Sequence, residues 1–275
     1  MTARVPHAAR PFGAARVAAA AISVLAAVAL STATTFAQRR GGFGGGGRFG
    51  GGSGAPILPN LPYDGRFTFA RLRYGPPIPY QTQRVGWWHD YPEGEVHFTK
   101  ILEEITLLQP HTEQSNVLGL DDPALFRYPV AYMCEPGRWT MTDAEAASFR
   151  AYLQKGGFVF FDDYRGPYDW NNFEQQMQRV LPQGRWVDLD ISHPIFHAFF
   201  EIKTLDVPQY YDRGAAEFRA IFEDNDPKKR IVALANFNTD ISEYWEWSDT
   251  GLKPIDESNE AYKLGVNYII YGMTH

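Results

Sequence analysis

The sequence predicts an α/β domain of three layers, a mostly parallel sheet flanked by helices, on three observations. The runs YPVAYMC (128–134) and FVFF (158–161) are almost continuously apolar, as strands buried on both faces are. Between them, TDAEAASFRAYLQKGG carries apolar residues at helical spacing. Along the whole chain, strand and helix patterns alternate as β-α-β-α-β-α, the order that a parallel sheet with crossover helices requires.

Taken in order, RFTFARLRY alternates Phe67, Phe69 and Leu72 with polar neighbours and reads as the first strand. A loop rich in Pro and aromatics leads to WWHDYPEGEVHFTKILEEITLLQP. There Pro92 suits a first helical turn, and Phe98, Ile101, Leu102, Ile105 and Leu108 mark a helix that Pro110 stops. After the YPVAYMC strand, Thr142 and Glu145 form a capping box, Phe149, Tyr152 and Leu153 supply an inner face, and Gly156-Gly157 end the helix. FVFF follows as a strand, then a helix in WNNFEQQMQRVL and a short strand in RWVDLD. EFRAIFED and KKRIVALAN, joined by NDP, read as a hairpin. The closing helix NEAYKLGVNYIIYGM contains Gly265, suited to close packing on the sheet.

The flanks have a different character. Arg4, Arg10 and Arg16 precede an apolar run from Val17 to Leu30, and Ala37 ends a plausible cleavage site, so residues 1–37 read as a secretory signal. Residues 38–62 are so rich in glycine that they read as a flexible linker, leaving 63–275 as a single domain. The protein is thus expected in the periplasm or cell envelope. Membrane contact is expected only through an uncleaved N-terminal segment. Cys134 is the single cysteine, which excludes an intrachain disulfide and a zinc site built on two cysteines. A net charge of −6 with no basic stripe disfavours nucleic acid as a partner. No phosphate-binding loop and no GxSxG elbow occur, and no metal or cofactor is expected.

Ligands of parallel sheets bind beyond the carboxyl ends of the strands. Asp162 and Asp163 stand at such an end and are candidates for general acid or base work, with His89 or His193 as partner. Adjacent residues of a strand point to opposite sides, however, so one Asp is equally suited to capping a turn and the other to pairing with Arg165. His193 and His197 are four residues apart, but Pro194 favours a helix-entry turn over a metal pair. The loop of Trp88, His89, Asp90 and Tyr91 mixes aromatic faces with acids, a combination suited to a glycan or a cation. The same residues also suit sealing the sheet edge and capping the helix. SEYWEWSD (242–249) repeats the mix and offers a second wall to the same cleft. Tyr164 completes the candidate ligand-binding set with Asp162 and Asp163.

The segments FTFARLRY, WWHDYPEGEVHFTKILEEIT, LDDPALFRYPVAYM, LQKGGFVFFDD, SHPIFHAFFEI and AYKLGVNYIIYGMTH together resemble a bacterial family, domain of unknown function four-one-five-nine. That resemblance implies a flavodoxin-like fold similar to class I glutamine amidotransferases and ThuA-like proteins. It implies no established activity. Where glutaminases place a cysteine after the strand equivalent to FVFF, this chain has Asp162-Asp163-Tyr164, and Cys134 lies at the end of the preceding strand. Glutaminase chemistry is therefore not expected. The function expected is a ligand- or partner-binding module of the envelope, for a glycan or an envelope protein. A hydrolase using Asp162 or Asp163, and an assembly protein, are the alternatives.

Overall fold

The structure, a computed structural model, describes residues 57–75, 86–207 and 214–275. The expected signal sequence and most of the glycine-rich linker lie outside the described residues. The elements are β1 (Ala70–Arg73), α1 (Glu93–Ile105), β2 (Asn116–Gly119), β3 (Val130–Cys134), α2 (Asp143–Gln154) and β4 (Phe158–Asp162). They continue with α3 (Gly166–Val180), β5 (Val187–Asp188), β6 (Glu217–Phe222), β7 (Ile231–Phe237), α4 (Ile241–Glu246) and α5 (Ile255–Thr274).

The strands form one sheet in the order β2-β1-β3-β4-β7-β6-β5. The first five in that order are parallel, while β6 runs antiparallel to β7 and β5 antiparallel to β6. The parallel part follows the doubly wound order 2-1-3-4-5, with β7 in the fifth place. Its winding reverses between β1 and β3, the place beyond the strands' carboxyl ends where ligands of such sheets bind.

Burial on both faces explains the unbroken apolar runs. Phe160 packs with Phe98, Trp245 and Tyr268 on the face covered by α1, α4 and α5. Its neighbours Val159 and Phe161 pack with Phe149, Leu153 and Phe173 on the face covered by α2 and α3. The fold is the three-layer α/β arrangement that the patterns predict.

Local signals acted where expected at α2. Thr142 Oγ1 accepts from Glu145 N (3.2 Å), and Glu145 Oε2 accepts from Thr142 N (2.7 Å). Gly156 takes a φ of 112°, a conformation that favours glycine. Other expectations shift. The helix expected to run to Pro110 ends at Ile105, with Ile101 and Ile105 left exposed. Gly265 faces not the sheet but Trp245 and Phe98, whose rings lie 2.5 and 2.6 Å from where a Cβ would stand. Gly272 is the residue that packs on the sheet, against Phe158 and Val130. β2 went unpredicted, being four residues long. Its outer edge is covered by the chain upstream of Tyr63: Asn60 accepts from Val117 N (2.8 Å) and donates to Val117 O (2.9 Å), as a neighbouring strand would.

Candidate functional site

Four segments meet beyond the carboxyl ends of the parallel strands: 86–91 after β1, 134–135 at the end of β3, 162–165 at the end of β4, and 238–246 after β7. Each carries a residue other than glycine with left-handed backbone: Asp90 (φ 61°), Glu135 (47°), Asp163 (57°) and Asn238 (57°). Asp and Asn tolerate that region, whereas a glutamate there is uncommon. Such conformations cluster at functional sites, where the surrounding structure over-determines them.

The left-handed turn at Asp163 separates the two aspartates. Asp162 remains in the strand and accepts from Thr239 Oγ1 (2.6 Å), Ile241 N (2.8 Å) and Ser242 N (3.2 Å). It thereby fastens β4 to the first turn of α4. Burial pushes its carboxyl up to about 7, against the Thr239 and backbone hydrogen bonds and with the help of Asp163. Asp163 turns the other way. Its Oδ2 accepts from His89 Nδ1 (2.8 Å), and its Oδ1 accepts from Arg165. Burial opposes ionisation of Asp163, but the hydrogen bond and charge of His89, joined by Arg165, outweigh it and hold the carboxyl below its ordinary range.

His89 is the centre of the arrangement. Its Nδ1 is also 3.4 Å from Asp90 Oδ1. Burial disfavours the imidazolium, yet the Asp90 charge, the Asp163 hydrogen bond and Cys134 together raise its pKa. Cys134 Sγ lies 3.9 Å from Asp163 Oδ2, and burial raises its thiol despite the hydrogen bond with His89. The loop bearing His89 is held from below by Arg71 of β1. This buried guanidinium pairs with Glu95, donates to Trp87 O (2.5 Å) and His89 O (2.8 Å), and sits 4.9 Å over the Tyr132 ring. Across the crevice, Tyr74 Oη donates to Glu135 O (2.6 Å) and lies 3.1 Å from Cys134 O, tying the loop beyond β1 to the end of β3.

Acids outnumber bases here. Asp90, Glu135, Asp162, Asp163, Asp240 and Glu246 are all buried, and the basic groups among them are His89, Arg165 and Lys253, the last paired with Glu243 (3.0 Å). Burial, with the Asp163 and Asp90 charges, raises the Glu135 and Asp240 carboxyls; burial and Asp90 raise Glu246. Asp90 Oδ1 and Glu135 Oε2 are buried and accept no hydrogen bond from the described residues.

The structure brings His89, Asp90 and Asp163 together, while Asp162 stands behind them as an anchor. His193 belongs elsewhere. Its ring lies against Phe222 and Tyr271 at the amino end of the sheet, and its Nδ1 accepts from Ile195 N (3.2 Å) at the entry to a 3-10 turn of Pro194–His197. The β-α-β winding puts the segment after α3 at that end, so His193 cannot partner either aspartate. His197 bonds to Ile191 O (2.6 Å) and Glu201 (2.8 Å). Tyr91 and Trp87 are buried in the core, and Trp88 is half-buried edge-on to Trp87. Tyr164 packs into the aromatic group of Trp170, Phe173 and Phe237 beneath α3. Asp90 does not cap α1 with its side chain; Pro92 occupies the cap position, and the Asp90 carboxylate turns to Ser242 Oγ (2.5 Å). From the SEYWEWSD segment, Ser242 Oγ donates to Asp90 (2.5 Å), and carboxylate oxygens of Glu243 and Glu246 lie within 4.8 Å of one of its own.

Sequence reasoning missed Arg71, Glu135 and Asp240, and set Cys134 aside. Arg71 had one visible signal, an arginine inside a strand whose neighbours Ala70 and Leu72 are buried. Glu135 and Asp240 had none, because their roles depend on backbone turns at separate strand ends.

Fold and site together define a doubly wound α/β domain with a half-buried histidine among buried acids at its topological switch point. The chain belongs to the family described as domain of unknown function (DUF4159), whose model matches residues 68–273. No curated protein matched the chain.

Proposed function

We propose that this DUF4159 domain is an exported, cell-envelope binding module that takes a small cationic ligand into the acidic pocket around His89. The observation that carries the reading is the excess of buried carboxylates, with Asp90 Oδ1 and Glu135 Oε2 accepting no hydrogen bond among the described residues, at the switch point of a parallel sheet. Buried carboxylates that outnumber the bases around them are costly, and a bound cation relieves that cost. Export rests on the signal-like run of 17–30. A glycan laid on an open indole face has less support, since no tryptophan among the described residues is fully exposed.

The test is calorimetric titration, in chelator, of the domain with amines, amino sugars and their neutral counterparts. Amine binding that falls at least about tenfold in Glu135→Gln is expected, since a charge-assisted hydrogen bond contributes roughly 1.5–3 kcal/mol. Equal binding of neutral sugars, or no effect of Glu135→Gln, overturns the reading.

A hydrolase is the second reading, favoured by the 2.8 Å contact of His89 Nδ1 with Asp163. A carboxylate so placed orients an imidazole for proton transfer at its other nitrogen. Turnover of chromogenic esters or amides that disappears in His89→Gln would support it; no turnover above the buffer rate would remove it.

A further inference from the structure

We propose that His89, Asp90, Cys134 and Asp163 form a site for one divalent transition-metal ion of the zinc type. The inference rests on the reading of this pocket as a cation site and names the cation. One donor atom from each of the four residues lies within 4.8 Å of the donors of the others. A tetrahedral ion with bonds of about 2.0–2.3 Å sets its nitrogen and oxygen donors about 3.3 Å apart and its sulfur and oxygen donors about 3.5 Å apart. Here His89 Nδ1 to Asp90 Oδ1 is 3.4 Å and Cys134 Sγ to Asp163 Oδ2 is 3.9 Å. The His89–Asp163 edge, 2.8 Å as a hydrogen bond, has to open by about half an ångström.

The surroundings are those of a ligand set held from outside. Each carboxylate has one oxygen fixed and the other turned inward. Asp90 Oδ2 accepts from Ser242 Oγ (2.5 Å), which itself accepts from Tyr132 Oη (2.8 Å). Asp163 Oδ1 accepts from Arg165, leaving Oδ2 toward His89 and Cys134. Outer partners of this kind orient metal ligands. A second sign is Asp90 Oδ1, which belongs to a fully buried residue and accepts no hydrogen bond among the described residues, its 3.4 Å approach to His89 Nδ1 being a charge contact. One sulfur, one imidazole and two carboxylates suit zinc rather than magnesium or calcium, which take all-oxygen shells of six or more. Size points the same way, because Asp90, Cys134 and Asp163 are at most 1% exposed and only His89 reaches toward solvent. The neighbouring trio Asp90, Glu243 and Glu246 also converges, but Lys253 already neutralises Glu243. On binding, the ion replaces the proton on His89 Nδ1 and the thiol proton of Cys134, and both protons pass to the buffer.

The domain would be stripped with chelator, dialysed, and titrated with zinc chloride, with bound metal counted by mass spectrometry. One zinc per chain is expected, with affinity lowered at least about tenfold in Cys134→Ser and in Asp90→Asn. Absence of stoichiometric zinc, or full affinity in both variants, overturns the proposal. Should the variants not fold, cobalt titration of the unaltered domain decides: a thiolate-to-cobalt absorption band supports the site, and its absence overturns it. Because amine binding is measured separately in chelator, the metal site can fail while the acidic pocket stands, and the reverse.

Discussion

The two ends of the sheet use polar residues in opposite ways. At the amino end of the parallel strands, an open groove of about 440 Å3 is lined by residues including Arg150, Leu181, Phe222, Asp224 and Arg230. Its arginines close helix ends: Arg150 donates to Val180 O (2.5 Å) and Arg179 O (2.5 Å), and Arg230 to Leu153 O (2.6 Å) and Gly157 O (2.9 Å). Other charges there form surface pairs, such as Lys229 with Asp224 (2.6 Å), and such pairs contribute little. At the carboxyl end the charges are buried, acids are in excess, and oxygens of Asp90, Glu135, Asp240 and Glu246 accept no hydrogen bond among the described residues. Under the proposed reading, the site lies not at the open groove but where buried acids gather.

That contrast can be tested from its strongest element downward. Asp162→Ala removes the acceptor for Thr239, Ile241 N and Ser242 N. A loss of about 3 kcal/mol in urea unfolding is expected, since buried donors are left unpaired. A loss below about 1 kcal/mol would show that Asp162 does not hold the carboxyl end together.

The pH dependence should be smaller. Burial raises Asp162 to about 7 in the folded domain, from 3.8, and raises Glu135 and Glu246 as well. A group raised on folding contributes stability that is fully present below its unfolded pKa and lost as pH rises through the folded value. The metal-free domain should therefore melt several degrees higher at about pH 5 than at about pH 8.5. A melting temperature that climbs over that interval would contradict the assignment of a strained acidic end.

The smallest effect belongs to the other end. His193→Ala removes a cap hydrogen bond to Ile195 N and should cost about 1 kcal/mol. Zinc and amine binding should be unchanged. A binding defect in this variant would erase the distinction between the two ends.

The sequence carried the layers well because their causes are local. Apolar runs at 128–134 and 158–161, the capping box at Thr142 and Glu145, and the hairpin around NDP each report on a few neighbouring residues. It carried half of the site. His89, Asp90 and Asp163 were readable as polar groups at strand ends, and strand geometry predicted that Asp162 and Asp163 part, although the left-handed turn at Asp163 is what parts them. His193 looked equal to His89 by composition, and only the winding of the chain separated them. β2 and the Asn60 edge contact went unread because both pairings join residues far apart in the chain, Ala70 with Asn116 and Asn60 with Val117.

By itself, then, the sequence determined most of the strands and helices, that the central strands are buried on both faces, and that no second cysteine exists to form a disulfide. Tertiary structure alone decided which polar groups meet. The strand order β2-β1-β3-β4-β7 gathers four loops at one end, and the left-handed turns at Asp90, Glu135 and Asp163 lie within them. Periodicity is a property of neighbours along the chain. Convergence of His89, Asp90, Cys134 and Asp163 is a property of the sheet that brings their strands side by side.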